Sequence, residues 1–96
     1  MMSLSKKKRI TNRQLLDTYH GMFCLVCYRC PSDPCHIKSV GAGGDDTEDN
    51  LIPLCREHHI EQHKIGWVTF VKKYSTLLNI LNEMGWVIEG HRLAKR

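Results

Sequence analysis

A chain of 96 residues has room for one small domain, and a single core of that size buries little apolar surface unless a metal or a partner assists it. Its hydrophobic content of 42% and charged content of 25% are ordinary for a soluble globular protein, and no apolar run approaches the roughly 18 residues of a membrane span. The first residues carry charge without a following apolar stretch, so we expect no secretory signal, no membrane partner and a cytoplasmic location.

The net charge of +4 is concentrated at the two ends of the chain. We expect residues 1–10 to form a disordered basic arm and residues 91–96 a basic tail. Residues 11–91 hold seven basic and ten acidic residues, a formal charge of −3 (7 − 10). Basic ends suggest contact with the phosphate backbone of nucleic acid, although a short run of lysines by itself more often belongs to a solvated tail.

The first half of the chain predicts a helix, a knuckle and a hairpin. The helix starts at a cap on Thr11 or Asn12 and continues to about His20. Residues 24–31 indicate a tight knuckle, and residues 35–40 alternate as a strand does. Residues 41–49 are a loop, because three glycines permit unusual dihedral angles and four acidic side chains cannot share a core. Residues 50–54 are the return strand of the hairpin.

The second half of the chain predicts helices. One begins at residue 55 or 56, runs to about Ile65 and stops at Gly66. Apolar residues then recur at steps of three and four, the spacing of one helical face in a core, with a break near residues 75–76. These residues are Trp67, Phe70, Val71, Tyr74, Leu77, Leu78 and Leu81. Residues 86–88 follow as a short strand or a loop.

Two pairs of soft ligands have the spacing of a structural zinc site. Cys24-x2-Cys27 and Cys55-x2-His58 each place two ligands on one turn, and together they complete a closed tetrahedral set. Cys30 lies close enough in sequence to replace a member of the first pair. The alternative is that buried thiols merely pack, which two independent pairs in so short a chain make the weaker interpretation. All five cysteines are expected to be reduced, because the interleaved histidines suit metal ligation better than disulfides.

A second group of polar residues has the composition of a hydrolytic site. His59-x3-His63 on a helix puts two imidazoles on one face, where they can hold a divalent metal. His36 near the end of the first strand is a candidate general base, and Asn50 at the start of the return strand could orient it. Taken singly, each of these residues has an ordinary structural interpretation, but their order along the chain favours a common site.

The ordered set from Cys24 to His63 resembles the HNH endonucleases, in the zinc-knuckle branch of the ββα-metal or His-Me finger nucleases. The resemblance rests on both knuckles, the strand histidine with its neighbour Ile37, the glycine pair Gly43-Gly44, the Asn50-Leu51 pair and the closing histidine pair. It implies an α+β fold, in which a small zinc-stapled ββα-metal, treble-clef-like unit has flanking α-helices. We expect one nuclease domain over residues 11–90, with its core at about 34–65 and helical support at 67–85.

The resemblance also implies an activity and its residues. His36 would be the general base, Asn50 would order the loop, and His59 and His63 would bind a catalytic Mg²⁺, Mn²⁺, Ni²⁺ or Zn²⁺. The expected reaction is hydrolysis of DNA, double-stranded by preference, to 5′-phosphate and 3′-hydroxyl ends. The chain looks most like small phage-encoded or prophage-encoded HNH proteins, which act in the cytoplasm of a bacterial host. Its oligomeric state stays open between monomer and homodimer.

Two positions depart from the family pattern. The second knuckle has Cys55-x2-His58 where many members have two cysteines, and Cys35 stands where an Asp or His often binds the catalytic metal. A thiolate suits magnesium poorly, so Cys35 is either a soft third ligand or a thiol that packs. Lys38 and Arg56 are candidate phosphate contacts, with a solvated side chain as the equal alternative.

A different class of function remains compatible with part of the pattern. A non-catalytic zinc-binding module that contacts nucleic acid or protein would use the four zinc ligands and the basic ends. It would have no use for His36, Asn50 and His63 together. An RNA-directed nuclease is a weaker alternative, because the chain lacks an evident stacking platform for single strands.

Overall fold

The computed structural model describes residues 8–96, which contain four α-helices, two antiparallel two-stranded sheets and two short 3₁₀ turns. The predicted α+β class is confirmed. No helix in this range has the length and apolar character that crossing a membrane requires. The helices and strands are α1 Arg13–Tyr19, β1 Asp33–His36, β2 Leu51–Leu54, α2 Arg56–Ile65, α3 Trp67–Lys73, α4 Ser75–Glu83, β3 Trp86–Glu89 and β4 Arg92–Lys95.

The N-terminal segment, residues 9–12, is hydrogen-bonded to the acidic loop that follows β1, residues 41–49. Asn12 caps α1, its side chain accepting a hydrogen bond from the Leu15 amide at 3.0 Å, as the sequence predicts. Ahead of the cap, the Ile10 amide donates to Asp45 Oδ1 at 2.7 Å. The expectation of a disordered arm is therefore wrong for Arg9 and Ile10, because loop carboxylates bind them; residues 1–7 lie outside the described residues.

The predicted hairpin is confirmed, with a shorter first strand. β1 and β2 pair antiparallel, with Cys35 opposite Ile52 and His36 opposite Leu51. The strand starts at Asp33 and ends at His36 instead of covering residues 35–40. It ends there because the Asn50 side chain takes over the pairing: its Oδ1 accepts from the Lys38 amide at 2.8 Å and its Nδ2 donates to the Lys38 carbonyl at 3.1 Å.

The helix that completes the ββα unit has its predicted bounds. α2 runs from Arg56 to Ile65, and Gly66 follows with a φ of 83°, a conformation that favours glycine. The N-cap of α2 is Cys55, so a predicted zinc ligand stands directly at the end of β2. The hairpin and α2 therefore meet at the N-terminus of the helix.

α3 and α4 close the core over the ββα unit. The predicted apolar face is confirmed, because Phe70, Val71, Leu77 and Leu81 are buried. The two helices are separated at Tyr74, whose φ of −116° and ψ of 75° are not helical. This is one residue before the predicted break. The buried cluster joins these side chains to Cys24, Cys35, Ile37, Ile52, Leu54, Cys55 and Trp86.

The C-terminal residues form a second hairpin instead of a basic tail. β4 pairs antiparallel with β3, with Trp86 opposite Lys95. The Lys95 ammonium donates to the Met84 carbonyl at 2.7 Å and lies 3.1 Å from Asp49 Oδ2. The Trp86 indole donates to the Asp49 carbonyl at 2.7 Å. The prediction of a tail is wrong because pairing with β3 and the contacts of Lys95 order residues 92–95.

Candidate active site

Four side chains that the sequence assigns to structural zinc meet at the junction of the knuckle, β2 and α2. The ligand atoms of Cys24, Cys27, Cys55 and His58 all lie within 4.8 Å of one another. Cys24 is fully buried and Cys55 is 6% exposed, while Cys27 and His58 are partly exposed. Cys30 is exposed and stays outside the group, so the structure selects the x2 pairs.

The distances within this group fit a tetrahedral ion. Two sulfurs on one zinc stand about 3.8 Å apart, and a sulfur and an imidazole nitrogen about 3.6 Å apart, for bonds of about 2.3 and 2.0 Å. The Cys27 and Cys55 sulfurs are 3.7 Å apart, and the Cys24 sulfur is 3.7 Å from His58 Nδ1. The Cys55 sulfur is closer to His58 Nδ1, at 3.2 Å. The four residues can therefore hold a metal ion such as zinc.

An arginine supports the thiolate form of this group. The Arg29 guanidinium donates to the Cys27 sulfur at 3.3 Å and also pairs with Glu57. The hydrogen bond from Arg29 lowers the pKa of the Cys27 thiol to about 6, whereas burial raises the pKa of Cys55. A thiolate is the form that binds a metal. Arg29 thus favours the thiolate, the metal-binding form, at a partly exposed member of the group.

The two histidines of the x3 pair converge as the sequence predicts. His59 Nε2 and His63 Nε2 are 3.2 Å apart on one face of α2. Two imidazole nitrogens that share a divalent ion at about 2.1 Å stand about 3.0–3.4 Å apart, so the pair fits as two ligands of one ion. Both residues line an open cleft of about 630 Å³ between α1, β1 and α2.

Asp33 fixes the orientation of His59 and is a site residue that the sequence reasoning missed. Its Oδ2 lies 3.1 Å from His59 Nδ1, and both of its oxygens accept from the Arg56 guanidinium, at 2.7 and 3.2 Å. The hydrogen bond from Arg56 lowers the pKa of Asp33 to about 2. Because an ionised carboxylate only accepts, His59 Nδ1 carries the proton and its Nε2 is free to bind a metal.

Cys35 does not join the histidine pair. Its side chain is fully buried, with the sulfur 3.7 Å from Gln62 Oε1, and burial raises the pKa of the thiol to about 12. Cys35 is also not among the residues that line the cleft of His59 and His63. Of the two interpretations of Cys35, the structure favours packing.

His36 is held at the end of β1 by a carboxylate of the acidic loop. Its Nε2 lies 2.7 Å from Asp46 Oδ1, and its side chain is 16% exposed. Because alternate residues of a strand share a face, His36 lies on the face of Pro34, about 7 Å farther along β1. Pro34 lines the cleft of the histidine pair, whereas His36 is not among its lining residues. His36 thus lies on the same face of β1 as the cleft that His59 and His63 line, but farther along the strand and outside the cleft.

Asn50 organises the loop rather than the His36 ring. In addition to its two bonds with Lys38, its Nδ2 donates to the Asp45 carbonyl at 2.9 Å, and only 5% of the residue is exposed. It thus fixes the backbone immediately beyond β1. The predicted orientation of His36 by Asn50 is indirect, because Asp46 makes the contact with the ring.

Replacing Asn50 by alanine is expected to destabilise the protein by about 2–4 kcal/mol, because three hydrogen bonds are lost and buried backbone groups are left without partners. Chemical denaturation of the metal-loaded protein measures the change. Asn79→Ala on the exposed side of α4 is the matched control and should change stability by less than about 0.5 kcal/mol. Equal effects of the two substitutions would contradict the role assigned to Asn50.

The two candidate phosphate contacts differ in their surroundings. Lys38 is exposed, and its backbone amide donates to the Asn50 side chain. Arg56 lines the cleft, 75% exposed, with its guanidinium paired to Asp33. His20 also lines the cleft, with its Nδ1 donating to the Ser32 carbonyl at 2.9 Å. The cleft thus has cationic and imidazole groups along its rim.

Comparisons with known proteins identify one family and one relative. A protein family described as "Putative HNHc nuclease" matches residues 2–95. A relative, the "Uncharacterized protein YdfU" of Escherichia coli (strain K12), is 31% identical over 83 residues, which are 83% of this chain. The chain spans only 24% of the length of that relative. No solved structure matches the chain.

Proposed function

Because the chain belongs to the HNHc nuclease family, whose members act on nucleic acid, we propose that it is a divalent-metal-dependent endonuclease. Its substrate is DNA, double-stranded by preference, and its products carry 5′-phosphate and 3′-hydroxyl ends. The observation that carries the proposal is the convergence of His59 Nε2 and His63 Nε2, 3.2 Å apart at an open cleft of about 630 Å³.

The donor set of the histidine pair supports a catalytic metal. Two imidazoles leave most positions of an ion open to water and substrate, unlike the closed set of Cys24, Cys27, Cys55 and His58. A divalent ion held by His59 and His63 would neutralise negative charge on the phosphate oxygens. Nitrogen ligands suit Mn²⁺, Ni²⁺ or Zn²⁺ better than Mg²⁺, so we expect activity with several of these ions.

His36 is the general base of the proposed reaction. It takes a proton from a water molecule, whose oxygen then forms a bond to phosphorus as the bond to the 3′ oxygen breaks. The 3′ oxygen leaves with a proton from solvent, which gives the stated ends. Lys38 and Arg56 contact phosphates on either side of the bond, and exchange of Arg56 between Asp33 and phosphate is possible because its side chain is largely exposed.

Two further assignments complete the proposal. The closed group of Cys24, Cys27, Cys55 and His58 holds a structural zinc that joins the knuckle to α2. The free thiols of the described cysteines suit a reducing cytoplasm, where we place the protein.

Replacing His36 by alanine is expected to lower the rate of plasmid nicking by about 10²–10⁴-fold, because a positioned general base contributes that much. The assay compares purified wild type and variant on supercoiled DNA with Mg²⁺, Mn²⁺, Ni²⁺ and Zn²⁺. His91→Ala, which replaces an exposed histidine of the β3–β4 turn, is the control and should retain activity.

Undiminished nicking by His36→Ala would remove His36 as the base. If the wild type nicks no DNA with any of the four ions and binds only one tightly held metal, the chain is instead the non-catalytic zinc module. A count of bound metal per chain therefore accompanies the assay.

A further inference from the structure

Within residues 8–96, the His36 ring has one hydrogen-bond partner, and that partner is buried. Asp46 is 4% exposed, and its Oδ1 lies 2.7 Å from His36 Nε2. Burial by itself raises the pKa of the Asp46 carboxyl, but hydrogen bonds from His36 and Asn12 and the charge of Arg9 outweigh it, so the pKa is lowered overall. The group is therefore a carboxylate at neutral pH and can only accept hydrogen bonds.

This contact decides which nitrogen of His36 can accept a proton. Nε2 must carry the hydrogen that it donates to Asp46, which leaves the lone pair on Nδ1. A general base needs a lone pair aimed at water, so Nδ1 is the atom that would remove the proton. The neutral ring thus has a single tautomer for as long as the carboxylate stays in place.

Asp46 is itself fixed on both oxygens by the N-terminal segment. The Arg9 guanidinium donates to Oδ1 at 2.6 Å, and the Asn12 amide donates to Oδ2 at 2.9 Å. Arg9 also donates to the Gly44 carbonyl at 2.8 Å, and the Asp46 amide donates to the Ile10 carbonyl at 2.8 Å. These bonds prevent the carboxylate from rotating away from the ring.

The loop approaches β1 closely because of one glycine. A Cβ at position 44 would stand 1.8 Å from the Lys38 carbonyl oxygen, so only a glycine at this position permits the loop to come this close. The approach brings the next residues of the loop beside the end of β1. Asp46 consequently reaches His36, although ten residues separate them.

We propose that Asp46 is the positioning residue for the general base, and that Arg9 and Asn12 form a clasp that holds it in place. The effect of Asp46 on catalysis rests on the proposed nuclease function. Its effect on the tautomer of His36 does not depend on activity. When Nδ1 takes the proton from water, the ring becomes an imidazolium with both nitrogens protonated. Asp46 stays ionised and stabilises the new charge without receiving the proton.

The substitution Asp46→Asn tests this proposal with little change in shape. An amide accepts on only one of its two terminal atoms, whereas Asp46 accepts on both, from His36 and Arg9 on one side and Asn12 on the other. We expect the rate at saturating DNA to fall by about 10–100-fold, the range for residues that orient a functional histidine, with little change in KM. Asp45→Asn is the matched control, since Asp45 lies in the same loop, binds the Ile10 amide and does not contact His36.

A spectroscopic readout separates positioning from general stability. In protein labelled with ¹⁵N-histidine, the ring nitrogen shifts report which nitrogen of His36 is protonated. We expect the Nε2–H tautomer in the wild type and in Asp45→Asn, and a mixture or the opposite tautomer in Asp46→Asn. His36→Ala assigns the signal.

Arg9→Gln provides a second test that leaves the His36–Asp46 pair intact. It weakens the clasp, so we expect a smaller loss of rate and a partial loss of the single tautomer. Full rate together with an unchanged tautomer, in whichever of the two variants is folded, would overturn the proposal. If the wild type cleaves no DNA, the nuclease function fails, while the tautomer of His36 in the same samples still decides the role of Asp46.

Discussion

Removal of the metal from the group of Cys24, Cys27, Cys55 and His58 is expected to unfold the protein. The four ligands connect the knuckle to the start of α2, and Cys27 and Cys55 are 28 positions apart in the chain. Structural zinc contributes about 10–16 kcal/mol in zinc-finger peptides, which is comparable to the whole stability of about 5–15 kcal/mol of a typical domain. A chain of 96 residues has little core to compensate for that loss.

Cys24→Ser and chelation are the two ways to make this change. We expect loss of the cooperative thermal transition, or a Tm lower by more than about 20 °C, in circular dichroism, together with loss of one metal ion per chain. Cys30→Ser is the matched control, because Cys30 lies in the same knuckle region but is exposed and outside the group. A chelated protein that melted like the metal-loaded one would show that the four residues merely pack.

The sequence is most informative where the signal is local. The stop at Gly66 is visible because glycine is the residue that commonly adopts a positive φ after a helix, and the structure gives it a φ of 83°. The two x2 knuckles are visible because each pair needs only one turn to bring its ligands together. The helical face of α3 and α4 is visible because its period repeats over four turns. Each of these features is determined within a few residues.

Contacts between distant segments are invisible for the opposite reason. Asp33 reaches His59 over 26 positions and Arg9 reaches Asp46 over 37, and no spacing rule connects such pairs. An acidic residue in a polar loop or beside a proline looks like an ordinary solvated side chain. The packing of α2 against β1 brings Asp33 to His59, and the fold of the loop after β1 brings Asp46 to His36.

β4 shows that pairing with a neighbouring strand can determine the structure of a segment whose own sequence does not predict a strand. Residues 92–95 contain two basic residues and two apolar ones, which is too little for a strand by pattern alone. Gly90, with a φ of 68°, turns the chain back, and β3 supplies hydrogen bonds. The basic side chains at this end are therefore carried by an ordered hairpin, which gives them fixed positions relative to the acidic loop.

Replacing His59 or His63 by alanine is expected to abolish the second metal site while keeping the first. Each imidazole provides one of two converging nitrogens, so its loss leaves a single protein ligand. A metal that stabilises charge on the phosphate contributes several kcal/mol, so cleavage should fall by at least about 10²–10³-fold. Calorimetric titration with Mn²⁺ or Ni²⁺ should show the second ion in the wild type and its absence in both variants.

A graded series separates the direct ligands from the residue that orients them. Asp33→Asn retains both imidazoles but loses the carboxylate on His59 Nδ1, so we expect metal affinity to fall by about 10–100-fold instead of vanishing. Lys64→Ala, next to His63 on the exposed side of α2, is the control and should bind the second ion normally. Equal affinity in the wild type and all four variants would place the catalytic metal elsewhere. In the proposed order, alanine at His59 or His63 lowers the metal affinity most and Asp33→Asn lowers it to an intermediate degree. This order requires that the ion bind between the two Nε2 atoms, because only there does the proton on His59 Nδ1 determine the affinity for the ion.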